Sequence, residues 1–185
     1  FLTKHLNVWI QTDQALYDMR AWDKCADAKL DIEEFTPGGT HAHWTCRIAA
    51  DLASKIDVAA VSLLFNNPGK PEDGVVTFTR FYVPEAAIEE TRNASYRGWQ
   101  IEGHLIVTSG DVIDFNQIES DIRADLVRFN VLEIGFDPWQ STQMSTSLMA
   151  HGANVVEYRQ VVSNFSEPTK ELDALMRKAL IKHTG

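Results

Sequence analysis

The chain has 185 residues, a formal net charge of −9, two cysteines, 44% hydrophobic and 23% charged residues. That is enough for one domain with a sizeable core, and the composition is that of a globular protein. It excludes a disulfide scaffold, a Cys-x-x-Cys zinc site, a membrane span of ~20 apolar residues, and nucleic-acid binding by bulk positive charge.

An acidic metal-dependent nuclease stays admissible, because its site takes up cations before phosphate approaches. Phe1-Leu-Thr-Lys-His5 does not read as a signal peptide, and a reducing compartment suits Cys25 and Cys46. Asn93-Ala-Ser95 and Asn164-Phe-Ser166 match the glycosylation pattern by chance on that reading. With no initiator Met, the chain is expected to begin inside a longer protein or to have been processed.

In chain order, residues 1–40 read as an appendage. Thr12 is expected to cap a helix that places Leu16, Met19 and Trp22 on one face. Thr36-Pro-Gly-Gly39 is a breaker and sets a boundary before a domain over residues 41–185. Cys46 to Leu52 and Val58 to Phe65 are apolar runs expected as buried strands. Turn residues around Asn66 to Gly69 and Pro71 to Gly74 lead into Val75 to Val83, a third strand and the end of an antiparallel meander.

Leu105 to Val107 is a short apolar run. Asp114 with Gln117 forms a capping box for a helix whose Phe115, Ile118, Ile122, Leu126 and Phe129 share a face. Val131 to Phe136 is the next strand, a helix follows around Ser141 to Ala150, and Val155 to Val162 is expected as a strand. Pro168 suits a helix first turn, ahead of a stripe of Leu172, Leu175, Met176, Ala179 and Leu180. The order gives an α/β fold with a mixed sheet: three antiparallel strands, then parallel βα units flanked by helices, the order of a ribonuclease H-like fold.

The chemistry concentrates at two strand ends. Asp51 closes the first apolar strand and Asp137 closes the run Val131 to Phe136. An ionised carboxylate in an apolar sheet must be paired or hold a metal, and two on neighbouring strands suit a divalent cation. The plainer alternative is that each aspartate caps a turn. Asp57 belongs to a turn corner that either holds metal or is merely polar, and Lys55 beside it either meets phosphate or is solvated. His183, as a proton shuttle or a frayed terminal residue, and Asp173, with Glu171, are accessory candidates on or after the last helix. His41 and His43 would share one side of an extended segment as a zinc pair, but an ordinary loop is preferred. Arg92, Arg97, Arg123 and Arg128, with Asn66 to Lys70, are the basic or turn positions best suited to a phosphate backbone, but most surface arginines bind nothing in particular and none is assigned.

Several stretches, taken together and in order, carry a resemblance. They are His5-Leu-Asn-Val-Trp9, Trp22-Asp-Lys-Cys25, Ala50-Asp-Leu-Ala-Ser54, Asp57-Val-Ala-Ala60, Arg80-Phe-Tyr-Val-Pro84, Gly110-Asp-Val-Ile-Asp114, Phe136-Asp-Pro-Trp139 and Ser166-Glu-Pro-Thr-Lys-Glu-Leu172. The chain resembles the C-terminal nuclease domain of the large terminase subunit of tailed bacteriophages, in the HK97-type family.

The resemblance implies a ribonuclease H-like endonuclease that cuts concatemeric double-stranded DNA with two Mg²⁺ or Mn²⁺ ions. Asp51 and Asp137 match the family's catalytic acids, and Asp57 an accessory acid. The implied partners are double-stranded DNA, an N-terminal packaging ATPase domain joined through residues 1–40, the terminase small subunit and the capsid portal. The implied setting is the host cytoplasm, transiently at the procapsid portal, with no membrane. No Gly-x-x-x-x-Gly-Lys-Ser/Thr loop occurs, so the chain is not itself the motor. The family's third acid is expected on a helix beyond residue 185. A resolvase or transposase-like nuclease of the same fold, or a catalytically incomplete docking piece for the motor, are the alternatives.

Overall fold

A computed structural model describes residues 16–52, 56–90 and 94–185. Its centre is a seven-stranded mixed sheet in the order β4-β3-β2-β1-β5-β6, with β7 also on β3. The strands are β1 Thr45–Asp51, β2 Ala59–Asn66, β3 Val75–Pro84, β4 Leu105–Thr108, β5 Val131–Phe136, β6 Val155–Glu157 and β7 Ile181–His183. The helices are α1 Met19–Asp23, α2 Glu85–Glu89, α3 Ala94–Ile101, α4 Phe115–Arg128, α5 Pro138–Ala150 and α6 Val162–Arg177. β1, β2 and β3 form the expected antiparallel meander. β4 and β7 join β3 in parallel, β5 joins β1 in parallel, and β6 joins β5 in parallel.

The first two strands are not doubly buried runs. Cys46, Ile48 and Ala50 point into the core while Arg47, Ala49 and Asp51 are exposed on the other face. β2 alternates in the same way, with Ala59, Val61, Leu63 and Phe65 buried. Such alternation belongs to a sheet packed fully on one face only. The packed face carries α4 through Ile118 and Ile122 and α5 through Met144 and Leu148, against Ile134 and Phe136 of β5. α4 has the predicted apolar stripe, and Asp114 caps it, accepting a hydrogen bond from the Asn116 N–H at 2.9 Å.

The expected strand over Val155 to Val162 stops at Glu157, and Val162 opens α6. Pro168 sits inside α6 and not in its first turn. A proline there denies the carbonyl four residues back its helical donor. That carbonyl belongs to Asn164, and the Tyr158 hydroxyl donates to it at 2.6 Å. The helix therefore tolerates Pro168 because a side chain from the preceding corner replaces the lost bond.

α6 has 16 residues, about 24 Å of helix. It carries the chain from β6 at one edge of the sheet to β7 beyond β3. At ~4.8 Å per strand spacing that distance is also about 24 Å, so α6 spans the less covered face. Met176 on α6 packs with Cys25 and Ile181. Ahead of β1, α1 is capped by Asp18, which accepts from the Arg20 N–H at 3.0 Å; the expected cap Thr12 lies outside the described residues. Phe35 and Trp44 join the main core.

Candidate active site

β1 and β5 run parallel, with Ala50 paired to Phe136. The next residues are Asp51 and Asp137, so the two carboxylates emerge at the same end of adjacent strands. Both line a cleft of about 740 Å³ on the open face of the sheet. Ala49, Ala60, Leu64 and Gly135 also line it, and Phe165 and Pro168 of α6 face them. Among the described residues, a Cβ added at Gly135 would meet nothing nearer than the Ile48 carbonyl oxygen at 3.8 Å. No steric demand of the fold requires glycine there, and its effect is a low floor beside Asp137.

Arg47 and Glu133 stand further back along the same two strands, each four residues before its aspartate, and pair at 2.9 Å. Arg47 also donates to the Asn66 side-chain oxygen at 3.1 Å. Among the described residues the charged lining is one arginine and three carboxylates, with Arg47 and Glu133 paired to each other. Asp51 and Asp137 are the other two carboxylates of the described lining. Gln160, on the corner between β6 and α6, donates its side-chain N–H to Asp51 Oδ1 at 3.5 Å.

Among the described residues, no histidine or cysteine lines the cleft. The described donors are carboxylate, amide and hydroxyl oxygens, which suit Mg²⁺ or Mn²⁺ better than a soft ion. Among the described residues, no group of three or more His, Cys, Asp or Glu comes together that could hold a metal. The donor chemistry fits a hard cation at Asp51 and Asp137, with the remaining positions left to water or phosphate oxygens.

The other candidates lie elsewhere. Asp57 is exposed at the corner before β2, outside the cleft lining, and accepts from the Val58 N–H at 3.2 Å. Asp173 pairs with Arg177 one turn along α6 at 2.7 Å, beyond the part of the helix that lines the cleft. His183 is neither frayed nor near the carboxylates. It is buried in β7, which pairs with the start of β3, whereas Asp51 lies level with the end of that strand through Ala60 and Phe81. Its ring stacks on Trp22 with centroids 3.9 Å apart. Nε2 donates to the Trp22 carbonyl at 3.0 Å, and Nδ1 accepts from the Gly185 N–H at 3.1 Å. This is a structural histidine that ties β7 to α1.

His41 packs on Phe35 and Trp44 and meets Glu34 at 3.5 Å. Arg123 pairs with Glu119 and Arg128 with Glu33, both from α4 on the packed side of the sheet. Lys55 and Arg92 lie outside the described residues. Sequence reasoning passed over Gln160, Tyr158 and the Arg47–Glu133 pair. The alternation of Arg47, Ala49 and Asp51 was the available signal for one face of the pair, whereas a single glutamine in a corner carries none.

Comparison with known proteins fits this arrangement. The chain is 31% identical over its whole length to protein YmfN of Escherichia coli K12, covering 41% of that protein. It is 25% identical over 99% of its length to the terminase large subunit of Enterobacteria phage HK97, covering 35% of it. The chain thus spans well under half of either relative. The crystal structure of the HK97 large terminase superposes with a TM-score of 0.73 at 22% identity, over 92% of this chain and 34% of that one. The magnesium-bound large terminase nuclease of thermophilic phage G20c shares the fold with a TM-score of 0.57 at 12% identity, over 94% of this chain and 75% of that one. The family model for the terminase large subunit endonuclease domain matches residues 1–185. With its mixed ribonuclease H-like sheet, the chain belongs to the terminase large subunit endonuclease domain family.

Proposed function

We propose that this chain is the metal-dependent endonuclease domain of a viral DNA-packaging terminase, hydrolysing phosphodiester bonds of concatemeric double-stranded DNA. The observation that carries the reading is the emergence of Asp51 and Asp137 side by side from two parallel strands into one cleft. Paired carboxylates at one place suit a divalent cation, which phosphate can then approach.

In this reading Asp51 and Asp137 hold Mg²⁺ or Mn²⁺. A divalent ion so held supplies Lewis acidity at a phosphoryl oxygen and lowers the pKa of bound water. The protein's own part is to bind and orient. The two strands fix the carboxylates, Gln160 contacts Asp51, and Ala49 and Gly135 place small residues on the floor beside them. The two-ion mechanism calls for an oxygen donor beyond these two carboxylates, and a third acid from elsewhere in a longer protein is the proposed source. Asp57, Asp173 and His183 are given no ligand role.

The proposed partners are double-stranded DNA, a packaging ATPase domain in the same protein joined through residues 1–40, the terminase small subunit and the capsid portal. The proposed setting is the host cytoplasm, transiently at the procapsid portal. A docking role in the motor without catalysis is the second reading. It is favoured by the absence of a three-acid group among the described residues.

Incubating the chain with supercoiled plasmid and Mn²⁺, beside Asp51→Asn and Asp137→Asn, tests the first reading. Cleavage by the parent chain and its loss in both variants is the expected result. Cleavage that survives both substitutions sinks the assignment, and no cleavage even by a longer chain favours docking.

A further inference from the structure

The two strand ends bring two carboxylates to the cleft, but a carboxylate at a strand terminus can still rotate. A side chain that holds it in one orientation would raise the affinity of the site for a cation. The corner between β6 and α6 carries such a side chain on a braced support.

Four hydrogen bonds pin that corner. The Tyr158 N–H continues the β6 ladder to the Phe136 carbonyl at 2.7 Å. The Val161 N–H donates to the Arg159 carbonyl at 2.8 Å. The Asn164 side-chain amide donates to the same carbonyl at 2.9 Å. The Tyr158 hydroxyl reaches the Asn164 carbonyl left without a helical donor by Pro168, at 2.6 Å. The Tyr158 and Phe165 rings also meet edge to face, centroids 5.5 Å apart. Gln160 lies inside this brace, and its side-chain N–H points to Asp51 Oδ1.

We propose that Gln160 is a positioning residue of the cation site, orienting the Asp51 carboxylate through this hydrogen bond, and that the Tyr158–Asn164–Pro168 brace holds Gln160 in place. The inference rests on the reading of Asp51 and Asp137 as cation ligands. One amide N–H on Oδ1 leaves Oδ2 and a lone pair of Oδ1 free for an ion. A neutral amide also suits the place electrostatically. Lysine or arginine would oppose the cation, and a further carboxylate would strengthen the repulsion of phosphate. An exposed glutamine on an unbraced loop would lose most of the benefit to conformational entropy.

The test is calorimetric titration of the chain with MnCl₂, without DNA. It compares the parent with Gln160→Leu, Tyr158→Phe, the double variant and Asp51→Asn, each with a thermal melt of the ion-free protein. Gln160→Leu should weaken Mn²⁺ binding about tenfold, the low end for loss of a ligand-orienting partner, without lowering the melting midpoint. Tyr158→Phe should weaken it less, and the double variant should be no worse than Gln160→Leu, because both act through one contact. Parent-like Mn²⁺ binding by Gln160→Leu, with binding still lost in Asp51→Asn, overturns the proposal. So does a fall in melting midpoint that accounts for the lost affinity, which would make Gln160 merely structural. If Asp51→Asn binds Mn²⁺ like the parent, it is the metal-site reading that fails.

Discussion

Arg80→Met is the most informative perturbation of the fold that positions the cleft. Arg80 reaches from β3 beneath the sheet to Asp125 on α4, whose side chain is 1% exposed. Nη1 lies 3.3 Å from Oδ1, and Nη2 contacts Oδ2 as well. Burial pushes the Asp125 carboxyl above the ordinary carboxylate range, against the opposing pull of the Arg80 guanidinium. Methionine keeps most of the aliphatic stem and removes both contacts. Breaking a buried pair by deleting one partner costs about 3–5 kcal/mol. The Arg80 side chain is 26% exposed, so water relieves part of the cost and about 3 kcal/mol is expected.

The pH dependence has a definite sign. Folded Asp125 holds its proton more tightly than the unfolded chain does, so stability falls as pH rises from the unfolded carboxylate value through the folded one. Without Arg80 the folded value climbs further. The penalty of Arg80→Met should therefore be largest near pH 8 and shrink towards pH 5. Urea unfolding of parent and variant at the two pH values measures it. A penalty below about 1 kcal/mol, or one equal at both pH values, would refute the reasoning.

Gly74 has a φ of 76°, and a Cβ there would lie 2.1 Å from the Leu180 carbonyl oxygen, which accepts the Val75 N–H. Gly74→Ala should displace β7 and cost about 2–3 kcal/mol in urea unfolding, and a near-neutral effect would contradict the docking of β7 on β3. Cys46 and Cys25 are both fully buried, and burial, aided by the nearby Asp125 charge, pushes the Cys46 thiol up to about 12. Neither should react with Ellman's reagent at pH 8 until the chain is unfolded, and a rapidly titrating thiol in the native protein would contradict this packing.

Much of the architecture was legible because it rests on local periodicity. The α4 stripe of Ile118 and Ile122 appears as read, and β5 spans Val131–Phe136 as expected. Asp51 and Asp137 are legible as carboxylates that close apolar runs, but Asp51 is exposed on the open face of β1, so the burial cost expected for a doubly buried strand does not apply to it. What escaped depends on contacts distant in sequence. β7 is three residues long, too short for any period to show. It is defined by Val75 to Thr77 of β3 and by Trp22 against His183. Pro168 reads as a helix start because its lost hydrogen bond is local, whereas the Tyr158 hydroxyl that replaces it comes from the corner before the helix. Gln160 acquires meaning only once β6 pairs with β5 and brings the corner after it to Asp51.

The central claim is that Asp51 and Asp137 share a divalent cation in the cleft. An anomalous-scattering map from crystals of the chain grown with MnCl₂ tests it most directly. A manganese peak in contact with carboxylate oxygens of both aspartates is expected, lost in Asp137→Asn crystals. Manganese bound only elsewhere, with both carboxylates turned to water, would contradict it.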